Sequence, residues 1–113
     1  MQSEFRVWIT NKSEVSVISV SGELDLASSP ALEVELERLA AGSAALVIVD
    51  LRALEFMDST GLSVLVRAHQ RAQESGQRFG LVNGSHQVKR LLSLTGVADR
   101  LTLADTPELA DDG

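Results

Sequence analysis

Asp58, Ser59, Thr60 and Gly61 place one carboxylate, two hydroxyls and a flexible backbone position side by side. Apolar Leu54, Phe56 and Met57 precede them. Leu62, Leu65, Val66, His69 and Ala72 follow at helical spacing, so the block is predicted to stand where the chain enters a helix. An Asp at such a start can accept hydrogen bonds from the N–H groups of Thr60 or Gly61. Ser59 then falls in the first turn, where four backbone donors have no helical partner. A phosphate on its hydroxyl adds about −1.5 to −2 charges at neutral pH. The helix N-terminus favours that charge by roughly 0.3–1 kcal/mol near the surface, and repulsion from Asp58, screened by water, opposes it. These terms are similar in size, so a modified chain is expected to stay folded. The effect falls on an interface instead, where a desolvated phosphate facing no cation costs several kcal/mol. The same residues also suit a plain helix cap, with Gly61 simply permitting close packing. Residue types alone leave both readings open.

A second cluster, Gly22-Glu23-Leu24-Asp25, ends a predicted strand. Glu23 and Asp25 flank Leu24 and share a face if the strand continues through them. They suit a basic partner, a metal or an acid–base pair, or else a solvated turn into the next helix. Other chemistry-bearing residues are isolated. His69 lies on the apolar side of its helix and reads as a packed residue, and His86 has no Ser–His–acid set around it. Gly80, Gly84 and Gly96 read as turn residues, and none belongs to a G-x-x-x-x-G-K-[ST] phosphate loop. Lys89 and Arg90 are too few for a basic patch. No nucleophile–base pair is visible, so no catalytic residue is assigned and no enzyme activity is expected.

Composition narrows the classes further. With no cysteine, the chain has no disulfide, thiolate metal site or Cys nucleophile, and two histidines make no His-rich metal cluster. No metal or cofactor is expected. A formal net charge of −6 argues against nucleic acid, whose phosphates call for surplus Lys and Arg. Three Phe, one Trp and no Tyr offer no aromatic stacking platform and leave the core to Val, Leu, Ile and Ala. The N-terminus lacks the basic start and apolar run of a secretory signal, and no stretch approaches the ~20 apolar residues of a membrane span. The expected location is the cytoplasm. The 113 residues suit one domain over 1–113, with its core about 5–103 and an acidic tail at 105–113.

The elements that must position these residues follow from periodicity. Phe5, Val7 and Ile9 alternate with polar neighbours as a strand, Asn11 to Glu14 reads as a turn, and Val15 to about Gly22 as a second strand. Ser28, Ser29 and Pro30 read as a capped helix start, continued by Leu32, Leu36, Leu39 and Ala40 until Gly42. Leu46 to Leu51, broken only by Asp50, reads as a strand buried on both faces, and a short loop then leads to the helix opened by Asp58. Glu74, Ser75 and Gly76 close that helix. Phe79 to Val82 is a further strand, and Ser85 caps a helix through Leu94 that Gly96 ends. Leu101 to Leu103 is a candidate edge strand, and Asp105 to Gly113 is expected to be a frayed helix or loose tail. Strands alternating with helices predict an α/β fold, with a largely parallel sheet and an antiparallel N-terminal hairpin.

At Gly22-Glu23-Leu24-Asp25, Asp50-Leu51, Phe56 to Leu62 and Val88 to Gly96 the sequence resembles the STAS family, named for sulfate transporters and anti-sigma factor antagonists. It is most similar to the stand-alone bacterial antagonists, over roughly residues 5 to 103. The resemblance implies a four- or five-stranded sheet with helices on one face and a partner-switching cycle. The unphosphorylated protein would bind an anti-sigma factor that is itself a serine kinase of the histidine-kinase-like ATPase type, freeing a sigma factor. The kinase would phosphorylate the antagonist with ATP and Mg²⁺, and a metal-dependent PP2C-type phosphatase would reset it. By position, Ser59 matches the phosphoacceptor, with Thr60 second. Asp58 matches the N-cap, and Asp25 an acidic residue near the kinase-facing surface. The partner surface is expected over Glu23, Asp25, Asp58, Ser59, Thr60 and Gly61. Two other roles remain open: an adaptor subunit of a larger assembly, such as a lipid transporter or stress-sensing complex, and a nucleotide-binding module. An intact serine at 59 favours the switch.

Overall fold

The computed structural model describes residues 4–82, 84–94 and 102–104. The alternating N-terminal segment is β1 (Arg6–Lys12), and β2 (Val15–Leu24) returns antiparallel beside it, with Lys12 opposite Val15. The turn between them is only Ser13 and Glu14, shorter than the expected Asn11–Glu14. Ser13 takes a left-handed φ of 54°, as two-residue hairpin turns require of their first central residue. Asn11 therefore stays in β1, where its side-chain oxygen accepts the Ser16 hydroxyl at 2.7 Å.

There follow α1 (Ser29–Ala40), β3 (Leu46–Met57), α2 (Ser59–Ser75), β4 (Arg78–Val82), α3 (His86–Leu94) and β5 (Thr102–Ala104). The sheet runs β1-β2-β3-β4-β5, antiparallel at its first pair and parallel at the others. This is the mixed, largely parallel α/β architecture expected. The last strand lies one residue later than Leu101–Leu103, and the expectations for Gly96 and the 105–113 tail fall outside the described residues.

Alternation decides what each sheet face buries. Ile18, Val20 and Leu24 of β2 and Val47, Val49 and Leu51 of β3 point to the helices, meeting Leu32, Leu65 and Val88 among others. Each such side chain contributes roughly 1.5–3 kcal/mol by leaving water. Val17, Ile48 and Val82 form a smaller cluster on the opposite face. β3 is central, so Val47 to Leu51 is buried without a break.

Three expectations need correction. β3 does not give way to a loop after Leu51 but continues to Met57, because β2 continues beside it and pairs Leu24 with Met57. Gly22 is correspondingly not a strand end. Its φ of 89° accompanies a register shift within the β2–β3 pairing, and a side chain there would press on the Glu4 backbone. Gly80 is a β4 residue opposite Ile48 rather than a turn. Gly76 does end α2, in the left-handed conformation at φ 79°.

Candidate functional site

β2 and β3 finish together, and their last residues form the floor under the start of α2. The Asp58 N–H donates to the Leu24 carbonyl at 3.1 Å, which fixes the chain as it leaves the sheet. Asp58 is extended, and its Oδ1 accepts both Thr60 N–H, at 2.9 Å, and Gly61 N–H, at 3.1 Å. The expected cap is thus made, with two bonds where one would have sufficed. Gly61 is buried directly on the floor: a Cβ there would lie 2.6 Å from Leu24 Cγ and 3.0 Å from Met57 Cγ. Ser59, the first residue of α2, faces solvent. Among the described residues no group bonds its hydroxyl, while its carbonyl accepts the Ser63 hydroxyl at 3.0 Å. Thr60, beside it, is half-buried.

The Glu23–Asp25 cluster is arranged differently from the pair its spacing suggested. Glu23 stays in β2 beside Phe56, and the strand stops at Leu24, so Asp25 turns away from that face. Its Oδ1 accepts the N–H groups of Ala27 and Ser28 at 3.0 and 3.1 Å. Ser28 was expected to cap α1, but it is already helical at φ −94°, ψ −21° and makes no side-chain cap bond. The Asp25 carboxylate does that work one turn earlier. The Ser28 hydroxyl instead sits 2.8 Å from the Glu23 carbonyl and accepts Asp25 N–H at 2.9 Å.

Arg67 of α2 reaches across to Glu33 of α1 through two bonds, at 3.1 and 2.6 Å. The bonded guanidinium holds the Glu33 carboxyl below its ordinary value, and the same pairing raises Arg67. Beside this clamp lies a groove of about 370 Å³, lined by Leu26, Pro30, Val34, Thr60 and Val64 with Glu33 and Arg67 at its edge. Leu26 and Val34 are 74% and 53% exposed, large apolar side chains left in water next to the Ser59 turn.

The remaining candidates do not join this site. The His69 ring packs against Phe79, centroids 6.0 Å apart and tilted by 54°. His86, Lys89 and Arg90 are exposed on α3. Among the described residues no group of three or more His, Asp and Glu side chains is placed to hold a metal, and no helix is long and apolar enough to cross a membrane. One residue was missed altogether. Gln87, on α3, bonds both the N–H and the carbonyl of Met57 at 3.0 Å. Nothing in local spacing could have found it, because the partners are thirty positions apart.

The structure is thus an α/β domain with a mixed five-stranded sheet and a solvent-facing serine directly after the Asp58 cap, where strand passes to helix. The chain belongs to the STAS domain family, whose model matches residues 7–110. It is 34% identical over 98 residues to an anti-sigma-B factor antagonist of Bacillus subtilis, covering 87% of this chain and 88% of that protein. To the anti-sigma-F factor antagonist RsfB of Mycobacterium tuberculosis it is 30% identical over 100 residues, covering 88% and 81%. The crystal structure of an anti-sigma factor antagonist from Mycobacterium paratuberculosis superposes with a TM-score of 0.86 at 32% identity, over 95% of this chain and 91% of that one.

Proposed function

We propose that this chain is an anti-sigma factor antagonist switched by phosphorylation of Ser59. In the unphosphorylated form it binds an anti-sigma factor serine kinase of the histidine-kinase-like ATPase type and so frees a sigma factor. The kinase, using ATP and Mg²⁺, modifies Ser59 and ends the complex. A PP2C-type phosphatase restores it. The chain itself catalyses nothing, and it works in the cytoplasm.

The observation that carries this reading is the exposed Ser59, the first residue of α2, directly after the Asp58 cap, its hydroxyl bonded by no group among the described residues. A kinase can reach it without unfolding the domain. Docking spreads from that point over Thr60 and Asp58 to Glu23 and Asp25, with the Leu26–Val34 groove accepting an apolar side chain of the partner. Gly61, expected on this surface, is buried beneath it and acts only by letting α2 sit close to Leu24. The added charge then sits inside a surface that must shed water, where it is costly.

The test is a titration of the cognate anti-sigma kinase with the parent chain and two variants. Ser59→Ala should bind as the parent does and resist phosphorylation. Ser59→Asp should bind at least about tenfold more weakly, roughly 1.4 kcal/mol. Equal binding by all three sinks the switch and leaves a passive adaptor.

A further inference from the structure

We propose that Gln87 is the positioning residue for Ser59, its side-chain amide standing in for the strand that β3 lacks at Met57. The proposal deepens the phosphorylation reading and rests on it for its functional consequence. β4 pairs with β3 only from Leu46 to Asp50, so the rest of β3 has an open edge on that side among the described residues. Backbone groups along such an edge need partners, and the approach to α3 runs beside this stretch and bonds it at Glu55 and Met57. Gly84 runs so close to Leu51 that a Cβ would collide with the Leu51 carbonyl. The Ser85 hydroxyl lies 3.4 Å from the Glu55 carbonyl. At Met57 the match is closest: Gln87 Oε1 accepts the N–H and Nε2 donates to the carbonyl, both at 3.0 Å.

A primary amide carries an acceptor and donors side by side. That pattern fits the N–H and C=O of one strand residue, which point the same way, as in a hydrogen-bonded pair of an antiparallel sheet. Met57 is covalently followed by Asp58, which caps α2 and precedes Ser59. On the other flank, the Leu24 carbonyl holds Asp58 N–H. Gln87 therefore completes a two-sided grip on the peptides that aim Ser59, and it ties α3 to whatever charge Ser59 carries.

Amide hydrogen exchange on the ¹⁵N-labelled full chain tests this. Gln87→Met keeps the bulk of the side chain and removes both bonds; Gln87→Ala removes both bulk and bonds. In either variant exchange at Met57 should speed up about tenfold or more, with Thr60 and Gly61 following, while Val49 and Leu65 change less than about twofold. Should Gln87→Ala unfold, Gln87→Met is the variant to read. Parent-like exchange at Met57 in Gln87→Met overturns the proposal. A second readout is the shift that Ser59→Asp induces in the amides of Val88 and Leu92. Its loss in Ser59→Asp/Gln87→Met supports the tie, and its persistence at full size overturns it. Phosphorylation of Gln87→Met by the cognate kinase should show a lower kcat with KM little changed. If the parent chain itself is not phosphorylated at Ser59, the proposed function fails, and the exchange data still judge Gln87 by themselves.

Discussion

The starts of α1 and α2 are built from nearly the same residues and do opposite things. Each has an Asp whose Oδ1 takes two backbone N–H groups, Ala27 and Ser28 at the first, Thr60 and Gly61 at the second. Each has a serine on the first helical residue. At α1 that serine, Ser29, is 2% exposed, and its hydroxyl donates to the Asp25 carbonyl at 2.6 Å. At α2 the equivalent Ser59 points into water, and no group among the described residues bonds its hydroxyl. The difference comes from the approach. Asp25 precedes an extra turn that rolls Ser28 and Ser29 inward, whereas Asp58 leaves β3 straight into the helix, pinned by Leu24 and seated by Gly61. A serine at a helix start is thus a lock or a display according to how the chain arrives.

The largest test removes the side chain on which the α2 start rests. Leu24 is fully buried, it supports Gly61, and its carbonyl anchors Asp58. Leu24→Ala should cost about 2–5 kcal/mol in urea unfolding; a cost below about 1 kcal/mol would mean that the α2 start does not rest on this side chain. Next, the two serines should separate. Ser29→Ala should lose about 0.5–1.5 kcal/mol with its buried hydrogen bond, while Ser59→Ala should stay within about 0.5 kcal/mol of the parent. Equal costs would erase the contrast between lock and display.

The smallest effect concerns the clamp that holds the two helices side by side. Because Arg67 keeps the folded-state Glu33 below its ordinary value of 4.5, the pair's contribution is complete above that value. It is lost as pH falls through the lowered folded value. Both partners are partly solvated, so the expected size is only about 0.2–1 kcal/mol. Parent and Glu33→Gln should differ by this amount near pH 7 and converge on the acid side. A gap that widens on acidification has the wrong sign for this mechanism.

Local order was legible in the residues themselves. Alternation marked β1 and β2, three- and four-residue steps marked the helices, and Asp58 announced its cap, because each depends on bonds and contacts within a turn or a pleat. Reading failed where a distant partner intervened. β3 extends to Met57 because β2 runs on beside it, and the Glu23–Asp25 pair dissolved because that strand stops between them. Gln87 meets Met57 only after α3 has docked on the sheet.

The amino-acid order by itself therefore settled the α/β class, the acidic and cysteine-free chemistry, and the place where a hydroxyl stands at the head of a helix. The tertiary structure alone decided which serine is turned to the solvent and what holds it there. Exposure and long-range backbone pairing are properties of neighbours brought together by packing, and no short window of sequence contains those neighbours.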